Sequence, residues 1–313
     1  MLLNKIAKIG ARAPQLFFII SAFLTWKSID KRGIGSGFFI NRAKRLIPIY
    51  YLSLICAMLI PTITIKDYSI GNIIAHFLLL HGFHPLWINK IVGAGWYIGD
   101  LVIFYMICPF LAKVIVNLKT SIVCATLSLI LSSLLLVGRN LFGTPQELDF
   151  FFDTFLFFHQ LPVLMIGVVL YYIIYGEMDD AKKTRLLIIG AVLSVVFFIV
   201  FIGLRLNKKL FTSSFASAIV FLWIFLAAHQ IKHIFASKLF SPLIFLGKHS
   251  LGIYLIHCVV IESMLLFPLH RTSFVAWICL FAIVMIVSIA WDVSINGLEN
   301  KAMRLFTLPT TLN

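Results

Sequence analysis

Charged residues are scarce in this chain of 313 residues, where they make up only 12% of the sequence. A soluble globular domain is typically about a quarter charged. Hydrophobic residues instead reach 61%, and the mean hydropathy is +1.03. One soluble core could not bury this much apolar surface. The composition therefore excludes an ordinary soluble domain and predicts a polytopic membrane protein.

Acidic residues are the scarcer of the two charges: 12 Asp and Glu stand against 26 Lys and Arg, which gives a net charge of +14. In membrane proteins Lys and Arg collect in cytoplasmic loops, where they also meet anionic lipid headgroups. Nucleic-acid binding is the other common explanation of a basic chain, but the sequence has no basic soluble segment to provide it. We therefore expect membrane lipid, and no nucleic acid, among the partners.

The sequence also lacks the usual disulfide and metal-binding patterns. Its five cysteines lie in apolar runs without a CxxC motif, which is typical of small buried hydrophobic residues. His76, His81 and His84 are spaced five and three residues apart, so a helix would not gather all three on one narrow face. We predict no metal site.

Long apolar runs are what the sequence has in abundance. A spanning helix needs about 20 apolar residues, and helices are predicted because barrel strands are shorter and alternate in polarity. The third run is doubtful, since it also contains three histidines, Gly82 and Pro85. The ten runs lie at 14–29, 38–60, 72–88, 96–117, 120–138, 150–175, 186–204, 211–231, 249–268 and 273–297.

Counting the cations on each side of the membrane tests whether the run at 72–88 spans. If it spans and loop 27–45 is cytoplasmic, 12 Lys and Arg lie inside and 14 outside; if it does not, 16 lie inside and 10 outside. The second arrangement is favoured. It predicts about nine spans, an outer N-terminus, a cytoplasmic C-terminus, and a re-entrant or interfacial segment near 61–95.

The stretch "FFINRAKRLIPIYYL" (38–52) places three cations against an apolar run. Arg42 and Arg45 are three residues apart, so on a helix they share a face, and two guanidinium groups on one face suit phosphate. Cations at a membrane boundary can also serve only to orient the protein. The residues alone leave both interpretations open.

Four stretches occur in an order and at a spacing that resemble the membrane-bound acyltransferase 3 family, whose members O-acylate cell-surface glycans. They are "QLFFIISAFLTW" (15–26), the stretch at 38–52, "GFHPLWINKIVGAGWYIGDLVIFYMICPFL" (82–111) and "FLGKHSLGIYLIH" (245–257). The second is similar to the family's R-x-x-R motif followed by a proline, and the others resemble its G-G-W-S and L-G-x-x-S-Y patterns. The resemblance covers essentially the whole chain.

The resemblance implies an all-α membrane bundle of ten spans that forms one domain over 1–313. It implies acyl-CoA, with acetyl-CoA expected, as donor substrate and no permanently bound cofactor. Arg42 and Arg45 would bind the donor phosphates. The acceptor would be a glycan or lipid-linked glycan such as O-antigen, capsule or exopolysaccharide, and the location would be the bacterial inner membrane.

The family's catalytic histidine lies on its first span, and no residue of this chain matches it. We therefore expect the nine spans to correspond to the family's second to tenth spans, with an upstream span missing here. Whether this chain is active is left open. Weaker catalytic candidates are Asp100, which stands where the family has Glu, together with His84 on the expected acceptor side and His257. An anion transporter and an inactive copy are the alternative functions.

Several other polar or aromatic residues are expected to have structural roles. Trp96 and Tyr97 are expected to anchor the chain at a membrane interface. His249 is expected in a cytoplasmic loop together with Lys248. Asp292 lies within an apolar run, and we expect it only to pair with another polar group.

Overall fold

The computed structural model confirms the all-α class, since no strand is present among the residues it describes. A single isolated bridge joins Asn207 to Phe211. The structure describes residues 12–59, 68–143, 145–231, 238–264 and 274–306.

The long apolar runs form the long helices, because a helix satisfies all of its backbone groups internally. Short 3₁₀ turns cover His81–Phe83 and Lys238–Phe240, and a π-helical turn covers Phe151–Phe155. The α-helices are α1 Ala13–Arg32, α2 Ser36–Leu59, α3 Ile70–Phe77, α4 Gly95–Val114, α5 Leu118–Phe142, α6 Gln146–Phe150, α7 Phe157–Tyr175, α8 Asp180–Gly203, α9 Ser213–Gln230, α10 Ser241–Met264 and α11 Phe274–Phe306.

Six of the described helices are long and apolar enough to cross a membrane: α4, α5, α7, α8, α9 and α10. Helix α11 contains a shorter apolar stretch, Ile278–Ser294. Helices α1 and α2 carry cations at their adjoining ends, which shortens their apolar parts. A multi-pass membrane protein is therefore supported, but the predicted count of about nine spans is not confirmed.

The doubtful run at 72–88 is not a continuous helix. Helix α3 has only eight residues, and its first turn is capped by the side chain of Ser69, which accepts a hydrogen bond from the backbone of Asn72. The chain leaves the helix at Leu79, whose φ of 58° is left-handed. Eight residues are too few to cross a membrane, which agrees with the prediction that this run does not span.

The chain divides into two compact units, one formed by residues 1–38 and 99–232 and the other by residues 39–98 and 233–313. In the first unit, α7 packs against α1, α5 and α9. Gly167 makes the approach of α1 to α7 possible, because a Cβ atom there would lie 2.3 Å from the carbonyl oxygen of Ile19 and 2.9 Å from Cβ of Ala22. Small residues at such crossings let helices approach closely in lipid.

In the second unit, α10 packs along α11. Gly252 of α10 is the point of closest approach, because a Cβ atom there would lie 1.8 Å from Oδ1 of Asp292 and 2.5 Å from Cδ1 of Ile49. Helices α2, α10 and α11 therefore meet at this glycine. The same unit holds α3 and the segment that leads into α4.

The substitution Gly167→Ala tests the packing of the first unit. The added methyl group would push α1 and α7 apart, and we expect a loss of about 1–3 kcal/mol of stability, the usual cost of over-packing. The thermal midpoint of the purified protein in detergent would measure it. Gly138→Ala is the matched control, since no atom lies within 4 Å of its added Cβ; equal midpoints for the two variants would contradict the packing described.

Candidate active site

Arg42 and Arg45 lie one turn apart in the first half of α2, as the sequence predicted. Arg42 is half-buried, whereas Arg45 and the intervening Lys44 are exposed. Lys44 is off the shared face, because successive residues of a helix turn by about 100°. Arg42 and Arg45 thus share one side of the helix, and their role in binding the donor stays a prediction.

Ile49 follows Arg45 by one turn and contacts the backbone of Gly252 on α10. His249 precedes Gly252 by one turn on α10. Its Nδ1 lies 2.5 Å from Oδ2 of Asp292 on α11, and the Asp292 side chain is 3% exposed and the His249 side chain 16% exposed. The expectation that His249 lies in a loop is wrong, because α10 begins at Ser241, eight residues earlier.

A second histidine arrangement connects α2 to the segment around α3. The hydroxyl of Tyr50 lies 2.6 Å from Nδ1 of His76 and 3.3 Å from Nε2 of His81. The two imidazole rings stack with centroids 4.3 Å apart and planes inclined by 7°. All three side chains are fully buried.

The backbone carbonyls around these rings determine where the protons lie. Nε2 of His76 is 3.0 Å from the carbonyl oxygen of Trp87, and Nε2 of His81 is 3.1 Å from that of Gly95. A carbonyl only accepts, so each neutral ring carries its proton on Nε2. Tyr50 therefore donates to Nδ1 of His76 and accepts from Nε2 of His81, and the chain of bonds ends on a carbonyl at both ends.

Burial keeps both of these rings neutral. It lowers the pKa of His76 to about 3, with the neighbouring ring of His81 contributing, and it lowers the pKa of His81 to about 4. The helices that carry them, Ile70–Phe77 and His81–Phe83, are each too short to cross a membrane. We infer that the network fixes this segment against α2, because Nε2 of each ring already donates to a backbone carbonyl oxygen.

His84 and His257, two of the predicted catalytic residues, do not belong to the network of Tyr50, His76 and His81. The ring of His84 stacks on Trp87 with centroids 4.0 Å apart, and its Nδ1 accepts a hydrogen bond from the backbone of Leu86. Nδ1 of His257 donates to the carbonyl of Tyr254 one turn earlier on the same helix, at 2.5 Å. Nε2 of His257 lies 3.4 Å from Sγ of Cys258. A catalytic role for His84 or His257 stays a prediction.

Asp100 belongs to the first unit, in α4, and is fully buried. Neither of its carboxylate oxygens has a hydrogen-bond partner among the residues that the structure describes. Burying a carboxyl group without a partner is costly, which is why such residues are usually functional. Asp100 therefore keeps its place as a candidate, although its role is still a prediction.

Trp96 and Tyr97 are packed inside the protein, and their place at a membrane interface stays a prediction. They are only 6% and 3% exposed, and the Tyr97 ring makes an edge contact with Tyr254 at a centroid distance of 5.4 Å. Both residues are core residues of the second unit.

The six long apolar helices are features of a multi-pass membrane protein. A family model described as an acyltransferase domain matches residues 13–292, which is most of the chain. The chain therefore belongs to the acyltransferase 3 family, as the four motifs indicated, and this membership supports an acyltransferase. No curated protein and no solved structure matches it.

The substitution Tyr50→Phe tests the histidine network. It would leave Nδ1 of His76 buried without its donor, so we expect a loss of about 1–3 kcal/mol. The thermal midpoint in detergent, and the rate of proteolysis within the segment around α3, would measure the effect.

Tyr175→Phe is the control for this experiment. The Tyr175 hydroxyl accepts a hydrogen bond from Lys27 at 2.8 Å, but Tyr175 is 47% exposed. Water can replace that bond, and a surface substitution usually changes stability by no more than about 0.5 kcal/mol. An equally small effect at Tyr50 would show that the network does not hold the segment.

Proposed function

We propose that this protein transfers an acyl group, expected to be acetyl, from acyl-CoA to a hydroxyl group of a cell-surface glycan such as O-antigen, capsule or exopolysaccharide. Membership of the acyltransferase 3 family supports the reaction type. The observation that carries the donor assignment is the pairing of Arg42 and Arg45 on one face of α2. The protein would act in the bacterial inner membrane.

The arginine pair suits the phosphates of CoA for both geometric and electrostatic reasons. Guanidinium groups are planar, stay charged and form paired hydrogen bonds with phosphate oxygens. Long cationic side chains near a helix end extend toward the interface, which keeps their charge in water. The charge distribution predicts that this end of α2 is cytoplasmic, the side from which acyl-CoA would come.

The transfer itself would be direct, with both substrates inside the helical bundle. A hydroxyl group is a weak nucleophile near neutral pH, so its proton must be accepted as it attacks the thioester carbonyl. The negative charge that develops on the carbonyl oxygen must also be stabilised. CoA would leave toward the cytoplasm and the acylated glycan on the outer side, and no bound cofactor is required.

The double substitution Arg42→Ala/Arg45→Ala tests the donor site. A hydrogen bond to a charged group contributes about 1.5–3 kcal/mol, so losing both arginines should weaken acetyl-CoA binding by roughly a hundredfold or more. Calorimetry or equilibrium dialysis with the purified protein would measure the Kd. Lys44→Ala is the control on the same helix: it removes one positive charge, against two in the double variant, from a position off the face that Arg42 and Arg45 share.

A modified donor separates phosphate recognition from a general effect of charge. Acetyl-CoA without its 3′-phosphate should bind more weakly than acetyl-CoA to the unmodified protein. In the double variant this difference in affinity should be smaller, because the 3′-phosphate would have lost the arginines that bind it. The four measurements form a thermodynamic cycle that isolates the interaction of the phosphate with the arginines. If the double variant binds acetyl-CoA as tightly as the unmodified protein, the donor-site assignment is wrong.

A further inference from the structure

A short run of cations lies in the connection between α8 and α9, which we call loop 204–211. The cations are Arg205, Lys208 and Lys209, and all three are exposed. The loop contains no acidic residue. Asp149, an acidic residue of the same unit, already pairs with Arg139 at 3.0 Å. Loop 204–211 therefore concentrates positive charge on one part of the surface of the first unit.

Contacts within the first unit show at which end this loop lies. Gln15, near the start of α1, donates a hydrogen bond to Ser214, near the start of α9, at 3.2 Å. Lys27, further along α1, donates instead to Tyr175 at the end of α7. Loop 204–211 leads directly into α9, so it lies at the end of the unit opposite to Lys27. Since the charge count predicts that loop 27–45 is cytoplasmic, loop 204–211 is predicted on the outer side.

Cations on the outer side run against the usual distribution of charge in a membrane protein, because Lys and Arg collect in cytoplasmic loops. Of the 26 Lys and Arg, 10 are predicted outside, and three of these lie in loop 204–211. The need to orient the protein therefore does not explain them. An anionic partner on the outer side would.

The backbone of loop 204–211 is held in a defined conformation. Nδ2 of Asn140, at the end of α5, donates to the carbonyl oxygen of Lys208 at 3.0 Å and to that of Lys209 at 3.2 Å. Arg205 and Lys208 have φ values of 51° and 62°, which are left-handed and uncommon outside glycine. Such backbone costs energy and is found most often where a function needs it. The loop is thus a shaped cationic surface.

Apolar side chains keep this cationic surface at the edge of the bilayer. The ring of Phe211 makes an edge contact with Phe197 of α8 at a centroid distance of 5.2 Å. Leu204 and Leu210, on either side of the cations, are 65% and 36% exposed. Beside a spanning helix, exposed leucines suit hydrocarbon, whereas Lys and Arg extend to the headgroups. A ligand that matches both features carries its negative charge at the headgroup level and has an apolar part in the lipid.

We propose that loop 204–211 binds the diphosphate that joins an acceptor glycan to its lipid in the outer leaflet of the membrane. A diphosphate presents several anionic oxygens close together, which matches three cations held in one loop. Its lipid tail lies in the bilayer beside Leu204 and Leu210. The loop holds the acceptor and takes no part in the chemistry. The proposal rests on the proposed function, whose acceptor it narrows to a glycan that is still attached to lipid.

The triple substitution Arg205→Gln/Lys208→Gln/Lys209→Gln tests the site, because it removes three charges and keeps long polar side chains. The probe is farnesyl diphosphate, and calorimetry would measure its Kd for the purified full chain in phosphatidylcholine nanodiscs. One cation near an anionic membrane surface contributes about fivefold in affinity, so the Kd should rise on the order of a hundredfold. Farnesol, which has no phosphate, should not distinguish the variant from the unmodified protein. An unchanged Kd for farnesyl diphosphate would overturn the proposal.

The other end of α8 provides a matched control for this experiment. Lys182→Gln/Lys183→Gln/Arg185→Gln also removes two lysines and one arginine, at the start of the same helix. The Kd for farnesyl diphosphate should not change in this variant. An equal loss of affinity in both triple variants would show that only total charge matters, and the site would be wrong.

The substitution Asn140→Ala tests the shape of the loop without changing its charge. It removes the hydrogen bonds to the carbonyl oxygens of Lys208 and Lys209, so the Kd for farnesyl diphosphate should rise by about two- to tenfold. The same calorimetry would measure it. A Kd equal to that of the unmodified protein would contradict a shaped binding surface.

Competition distinguishes a lipid-linked diphosphate from an ordinary lipid headgroup. Short-chain phosphatidylglycerol should displace farnesyl diphosphate only weakly; if it competes as well as farnesyl diphosphate itself, the loop binds headgroups and the assignment is wrong. Failure of the proposed function is a separate result. If acetyl-CoA binding depends on Arg42 and Arg45 but diphosphate binding does not depend on loop 204–211, the proposed function stands and this proposal fails. If acetyl-CoA does not bind, the assignment of the diphosphate to an acceptor fails with the proposed function.

Discussion

The need to pair every polar group inside an apolar helical bundle is the constraint on which this structure depends. In hydrocarbon, an unpaired donor or acceptor costs several kcal/mol, so irregular backbone persists only where other groups satisfy it. The segment around α3 shows how this is achieved. Tyr50, His76 and His81 link α2 to the carbonyl oxygen of Trp87, where the backbone is not helical, and to that of Gly95 at the start of α4.

The same constraint distinguishes structural polar groups from candidate catalytic ones. The Tyr50–His76–His81 network ends on carbonyl oxygens and its side chains are fully buried, which fits a structural role. Asp100 is different, because it is fully buried and neither of its carboxylate oxygens makes a hydrogen bond in the described part of the chain. A buried polar group that has no hydrogen-bond partner, despite the energetic cost, usually has a function in binding or catalysis.

The sequence was sufficient for features that depend on local pattern, and not for those that depend on packing between distant helices. Apolar runs predicted the long helices, and the spacing of Arg42 and Arg45 predicted their shared face, because both follow from helical periodicity. His249 and Asp292 are 43 positions apart, and only the crossing at Gly252 brings them together. The burial of Trp96 could not be predicted for the same reason, since burial depends on contacts between segments that are distant in the chain.

The location of the arginine pair also limits where the chemistry can occur. Arginine costs about 2.5–3.5 kcal/mol at the centre of a spanning helix but little near its end, where it reaches water. A donor clamp made of two arginines is therefore restricted to a membrane boundary, and the same charges orient the protein. Under the proposed function the acceptor would come from the opposite side, so the thioester would extend inward from the arginine pair. The group that accepts the hydroxyl proton would then have to lie deeper in the membrane than Arg42 and Arg45.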